Sequence, residues 1–320
     1  MTMTDTSSKP IAVLALNPAV DISYELPQLI ADRKVAADRT SYHPGGNGIN
    51  VARCFTELGI PIRCTSVIGG ESGDLLLRLL GDTLGDDHVY FRVAGETRLN
   101  ATLLQKSPPA QYEVDSRGPR IPPSLLEDLS TRFLSDCESG IAILTGSVPP
   151  GVPEDHYRKL ADRVKAQGGR AVIDAHGPVL QEALQAKPYL VRLNRYVMEM
   201  SIKRRLDNIR QVALAAREVQ QRGVDYVCIS LASEGAILSG PRNSYHCPAP
   251  RVRVHSTVGC GDATMAGLVA ALYRGGGPED MLRFGVVCGS ATASHQGTEL
   301  FTRAEVEQSS YDLEVTKLDV

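Results

Sequence analysis

Asp262 is the only carboxylate between Glu234 and Glu279, and it stands in a turn built from Gly259, Cys260 and Gly261. An apolar, helix-like run follows from Ala263 to Leu272, and Val252 and Val254 close a β-like segment ahead of it. A glycine turn feeding a helix presents free backbone N–H groups and the positive end of the helix dipole, a setting that suits an anion. A carboxylate beside such a hole can take a proton from an alcohol while the N–H groups hold charge developing on a phosphoryl group. Aspartate is also a favoured N-cap, so local sequence leaves Asp262 as either a base or a helix cap.

Other polar groups emerge where apolar runs stop. Ile11 to Leu16 ends at Asn17-Pro18-Ala19-Val20-Asp21. Ligands of open α/β sheets sit beyond the carboxyl ends of strands, which makes Asp21 a candidate substrate contact, the alternative being an ordinary turn aspartate. Asp174, Asn194 and Ser230 close three further strand-like runs, the last leading into Ala232-Ser233-Glu234-Gly235. A second glycine loop, Pro44-Gly45-Gly46-Asn47-Gly48-Ile49-Asn50, opens a helix. It lacks the Gly-Lys-Ser/Thr of a Walker loop, and the strand before it is too poor for a dinucleotide fingerprint. Gly45 and Gly46 let the backbone approach a ligand, and the Asn47 and Asn50 amides can read hydroxyls; a tight helix entry is the alternative. Arg98 and Asn100 are two apart and project from one face of a strand, where the arginine suits a phosphate or is simply solvated.

Repeated strand–helix units from residue 123 onward position these groups. They predict an α/β fold with a mostly parallel sheet covered by helices on both faces. Residues 22–42 and 89–119 alternate like hairpin material and predict a small β-sheet lid; 10–320 form one domain, and the polar residues 1–9 a disordered lead-in. A net charge of −3 with scattered basic residues gives no nucleic-acid footprint. No apolar run reaches membrane-spanning length. Seven dispersed cysteines without a C-x-x-C fit reduced thiols in a cytoplasmic protein, Cys260 included as a small filler.

The motifs together resemble the ribokinase family of sugar kinases, in its phosphofructokinase B branch, most of all the minor-type 6-phosphofructokinases and tagatose-6-phosphate kinases. The resemblance covers about residues 10–303. It is carried by Asn17-Pro18-Ala19-x-Asp21, Gly45-Gly46-x-Gly48-Ile49-Asn50-Val51-Ala52-Arg53, Thr97-Arg98-x-Asn100, Gly146-Ser147-Val148-Pro149-Pro150-Gly151, Ser256 to Asp262, and Arg283-Phe284-Gly285-Val286 with Gly289-Ser290-Ala291. It implies a ribokinase-like three-layer sandwich and ATP-dependent phosphorylation of a ketohexose phosphate at C1, with fructose 6-phosphate ahead of tagatose 6-phosphate. Asp262 matches the base, and Gly259, Cys260 and Gly261 the anion hole. Asp21, Gly46, Asn50, Arg98 and Ser147 match sugar-phosphate positions, with Lys34 as a lid lysine. Ser230, Val286 and Ser290 match the nucleotide pocket, Arg192 and Asn194 the segment that meets the ATP phosphates, and Asp174 a position associated with Mg2+. A homodimer through the lids is also implied.

The chain departs from the family pattern at several of these places. Val197 stands where an Asn-x-x-Glu motif from Asn194 would put glutamate, with Glu199 two residues on. Ala232 replaces a glycine, Arg192 a lysine, and Asn47 the lysine of several tagatose- and fructose-1-phosphate kinases. Val197 and Ala232 motivate an alternative expectation, a catalytically weak sensor of sugar phosphate or nucleotide. A ribose or nucleoside kinase is another, disfavoured by Arg98.

Overall fold

The computed structural model describes residues 9–309 and 313–320. Of the expected lead-in, residues 1–8 lie outside the described residues. The first half of the chain runs β1 (Ile11–Ala15), β2 (Ala19–Leu26), β3 (Arg39–Gly45), α1 (Asn47–Glu57), β4 (Ile62–Ile68), α2 (Gly70–Leu80), β5 (His88–Arg92), β6 (Arg98–Gln105) and β7 (Ala110–Val114). Then come α3 (Pro123–Cys137), β8 (Ile141–Thr145), α4 (His156–Ala166), β9 (Arg170–Asp174), α5 (Gly177–Gln185), β10 (Leu190–Asn194), α6 (Arg195–Ile202), α7 (Ile209–Gln220) and β11 (Tyr226–Ser230). The chain closes with β12 (Ala236–Ser239), β13 (Ser244–Cys247), α8 (Cys260–Tyr273), α9 (Pro278–Ala293), α10 (Arg303–Ser309) and β14 (Thr316–Leu318).

Ten strands make one sheet in the order β14-β13-β12-β11-β10-β9-β8-β1-β4-β5. β5 through β11 in that order pair in parallel, and the β12–β14 edge is antiparallel. Side-chain alternation divides the core between two faces. Ile11, Val13 and Ala15 pack with α1, α2, α8 and α9, while Ala12 and Leu14 pack with α3, α4 and α7. The result is three layers, one large sheet between two layers of helices, as the resemblance implies. α8 is apolar on nearly every side and correspondingly buried along its length, as a helix without a polar face must be. The parallel strands all end at one rim, where Asp174, Asn194 and Ser230 emerge from β9, β10 and β11.

A second sheet has the order β3-β2-β6-β7. Its register sorts the side chains by chemistry. Asp21 pairs with Asn100 and Ser23 with Thr102 on one face, where Arg98 and Glu113 also lie. Ile22 pairs with Tyr42 and Ala101, and Ala101 with Val114, on the other; Tyr24, Leu103 and Tyr112 follow in the next row. The apolar face includes side chains about half exposed, among them Tyr42, Leu99, Tyr112 and Val114.

Two expectations are corrected. Residues 88–92 do not belong to the small sheet: β5 pairs in parallel with β4 at the edge of the large one. Val252 and Val254 end no strand, since residues 248–254 are irregular and Val254 is 60% exposed. Pro248 and Pro250 deprive that segment of backbone donors for a ladder.

Candidate active site

Gly259 is the N-cap of α8, in a left-handed conformation (φ 77°), and no side chain caps the helix. Asp262, in the first helical turn, is therefore not a cap. Its carboxylate turns instead toward the N-terminus of α1. Asn47 Nδ2 donates to Oδ1 at 2.8 Å, and Asn50 Nδ2 donates to Oδ2 at 2.9 Å. Arg53 Nη1 contacts Asn50 Oδ1 at 3.4 Å and the Pro44 carbonyl at 2.9 Å, which fixes which end of the Asn50 amide faces the acid. Asp262 is 4% exposed. Burial raises its pKa to about 7, against the pull of the Asn50 and Asn47 hydrogen bonds and the Arg192 charge. A carboxyl titrating there is poised to exchange a proton near neutral pH.

Arg192 of β10 lies beside the same turn. Its Nη1 donates to Asp174 Oδ2 at 3.0 Å and its Nη2 to Ser230 Oγ at 2.7 Å. Its Nε is buried with no hydrogen-bond partner among the described residues. Burial opposes its charge, but Asp174 more than restores it and holds the guanidinium above its ordinary pKa. Gly261 has no side chain because the guanidinium occupies that space: a Cβ there would overlap Nη1 and Nη2.

The polar face of the small sheet supplies the opposite wall. Asn100 Nδ2 donates to Asp21 Oδ1 at 2.9 Å. Burial pushes Asp21 up to about 6, moderated by Asn100 and Arg98. Arg98 is 7% exposed, and donates from Nε to the Asn17 carbonyl at 3.1 Å and from Nη1 to the Ser116 carbonyl at 3.5 Å. Burial lowers its pKa, while Asp115 and Asp21 support its charge. The small sheet is also tied to the loop ahead of the glycine turn: Gln111 on β7 donates to Thr257 Oγ1 at 2.9 Å and accepts from the Thr257 N–H at 3.3 Å.

These groups line one cavity of about 1080 Å3. Gly46, Asn47, Asn50, Asp21, Arg98 and Asn100 line it together with the Gly259–Asp262 turn. Beyond the turn, Arg192, Asn194, Ser230, Ala232 and Gly235 face Val286 and Ser290 across the same space. Four expected residues stand elsewhere. Lys34 is exposed on the β2–β3 connection and does not line the cavity. Gly45 backs the wall, where a side chain would overlap the Asp21 carboxylate. Ser147 accepts from Asn17 Nδ2 at 2.9 Å, and Asp174 lies behind Arg192.

The departures have structural consequences too. Asn194 caps α6, its side chain accepting from the Val197 N–H at 2.7 Å. Glu199 accepts from the Leu206 N–H at 2.8 Å and so holds a loop. Ala232 has φ 52°, a left-handed conformation in which a β-carbon costs about 1–2 kcal/mol. Among the described residues no three His, Cys, Asp or Glu side chains gather as a metal cluster, and Asp174 is already paired.

Sequence reasoning missed Thr102, Glu113, Asp115, Arg195, Tyr196 and Arg251, which also line the cavity. Thr102 was findable, because it continues the Arg98, Asn100 alternation. Arg251 was not, since it lies on the irregular segment.

Comparison with known proteins identifies the family and the fold. The model of the pfkB family carbohydrate kinases matches residues 13–304. The 1-phosphofructokinase of Bacillus subtilis (strain 168) is 29% identical over 311 residues, 96% of this chain and 100% of that protein. Phosphofructokinase-2 from Escherichia coli, solved in complex with substrates and products, superposes with a TM-score of 0.88 at 28% identity, covering 94% of this chain and 98% of its own. Ribokinase from Thermotoga maritima, 21% identical, shares the fold with a TM-score of 0.76 over 94% of this chain and 98% of its own. The chain belongs to the pfkB family of carbohydrate kinases and is an ATP-dependent sugar kinase.

Proposed function

We propose that the chain transfers the γ-phosphoryl group of ATP to the C1 hydroxyl of a ketohexose 6-phosphate, fructose 6-phosphate ahead of tagatose 6-phosphate, giving the 1,6-bisphosphate. The observation that carries this reading is Asp262 itself, clamped by two amides at the mouth of a helix N-terminus and titrating at about 7. Asp262 takes the proton of the attacking hydroxyl. The first N–H groups of α8, from Gly259 to Gly261, hold the charge on the transferring phosphoryl group, and Arg192 adds a fixed positive charge beside them. Positioning and electrostatic stabilisation are most of what phosphoryl transfer requires of a protein.

Asp21 and Asn100 fit sugar hydroxyls, and Arg98 fits the phosphate already present. The other arm of the cavity suits ATP: Leu231, Ala236, Val286 and Ala293 give a purine apolar walls, with Ser230 and Asn194 toward the phosphates. Among the described residues no three acidic, His or Cys side chains gather to hold magnesium, so Mg2+ would enter on the nucleotide phosphates, as it commonly does. The small sheet serves as a lid, and its apolar outer face is covered in a homodimer.

One observation favours a second reading, an unphosphorylated sugar. Asp115 lines the cavity near Arg98, whose guanidinium already has carbonyl partners, and Glu113 adds a second carboxylate to the same cavity. A turnover panel decides between them, using fructose 6-phosphate, tagatose 6-phosphate, fructose 1-phosphate, fructose and ribose with wild type and Arg98→Ala. The 1-phosphate is included because the curated relatives are named for it. Preference for a 6-phosphate, lost by 10-fold or more in the variant at about 1.4 kcal/mol per decade, supports the first reading. Turnover of free sugar that is indifferent to Arg98→Ala supports the second.

A further inference from the structure

Asn47 is the first residue of α1, and Asp262 lies 215 residues further on in α8. The asparagine side chain faces the carboxylate because its surroundings leave that orientation open. Gly146, at φ 88°, has no β-carbon; one placed there would stand 3.0 Å from Asn47 Oδ1. The amide's carbonyl end lies against that gap and its NH2 end against Asp262 Oδ1, an ionised oxygen that can only accept.

We propose that Asn47 is a positioning residue for the base, acting on Asp262 rather than reading the sugar. The inference rests on Asp262 being the base. Two amides from successive turns of one helix each take a different carboxylate oxygen, so together they fix the plane of the acid and the direction of its remaining lone pairs. Asn50 alone would leave the carboxylate free to rotate about a single hydrogen bond. Either oxygen left buried and unpaired would favour the protonated form, which cannot accept a proton from the sugar. Asn47 therefore keeps a deeply buried acid ionised while it waits for substrate.

The groups facing Asp262 come from several elements. Asn47, Asn50 and Cys54 lie on α1, Cys260 on α8, Arg192 on β10 and Asp174 at the end of β9. Arg192 and the two amides favour the ionised form, and Asp174 opposes it. Cys54 and Cys260, both raised by burial, remain neutral thiols in the working range. Removing Asn47 leaves the other influences in place, so its effect is separable.

The test is the pH profile of kcat/KM for Asn47→Ala and the near-isosteric Asn47→Asp, with Asp262→Asn in parallel and thermal melting of each. A charge-assisted hydrogen bond of ordinary strength predicts an acidic limb displaced upward by about one to two pH units in Asn47→Ala. The rate at pH 7 then falls roughly 5- to 50-fold and recovers to within about 2-fold by pH 9, with the sugar KM nearly unchanged. Asn47→Asp sets a second carboxylate against the first, and its limb moves at least as far. It carries the test should the alanine variant not fold. A limb that stays in place in the folded variants, with KM raised or kcat lowered equally at every pH, overturns the proposal. If Asp262→Asn remains active, the assignment of the base fails first; if it is inactive and the limb is unmoved, only the role of Asn47 fails.

Discussion

The Arg192 guanidinium fills the space a side chain would take at Gly261, held there by Asp174 and Ser230. A methyl group at 261 must displace it, and neither partner can follow from its own strand. Gly261→Ala is therefore expected to disturb both the guanidinium and the N–H groups of the turn. Loss of one preorganised donor in such a site costs about 10²- to 10³-fold in kcat. Steady-state kinetics should show a loss of that order with a raised KM for ATP, while unchanged kinetics would mean that Arg192 is dispensable.

Activity should fall as pH drops below about 7, because Asp262 must be ionised to accept a proton and titrates near that value. Asp21, at about 6, adds a second protonation that weakens sugar binding below pH 6. The limb of kcat/KM thus steepens at low pH, and a profile flat from pH 8 to pH 5 would contradict the assignment.

The same two groups make stability pH-dependent. Both native values lie above the ordinary 3.8, so the folded chain binds more protons than the unfolded chain between about pH 4 and pH 7. Their contribution to stability is complete below pH 4 and is lost as pH rises through 6 and 7. Comparing melting midpoints of Asp262→Asn and wild type should show a gap that becomes more positive from pH 5 to pH 8. A constant gap would mean that Asp262 is ionised throughout.

Much of this site is legible in the amino-acid sequence alone. The glycine turn, the strand-end polar groups and the Arg98, Asn100 alternation are local patterns, and local pattern is what a single sequence carries. What decides between cap and base at Asp262 is not local, because its partners Asn47 and Asn50 lie more than 200 residues away. The run Val89 to Val93 likewise alternates in the same way whichever sheet receives it, and only pairing with β4 settles the matter. α5 and α6, of 9 and 8 residues, escaped notice because so short a helix offers few periodic apolar positions. Lys34 had no local pattern behind it, only a loose correspondence.

The apolar outer face of the small sheet predicts self-association. Leu99 is 44% exposed on that face, beside Tyr42 and Val114. Sedimentation equilibrium should give a dimer for wild type and a monomer for Leu99→Glu, since a buried unpaired charge is strongly unfavourable at an interface. A monomeric wild type at micromolar concentration would contradict pairing through this face.

The most direct test follows one phosphoryl transfer by rapid quench, with wild type and Asp262→Asn saturated with Mg-ATP and the preferred sugar at pH 8. If this acid removes the hydroxyl proton, the amide variant binds both ligands yet transfers at a rate lower by about 10²- to 10⁴-fold. Transfer within a few-fold of wild type, with binding equally intact, would leave the reaction without the group on which the account stands.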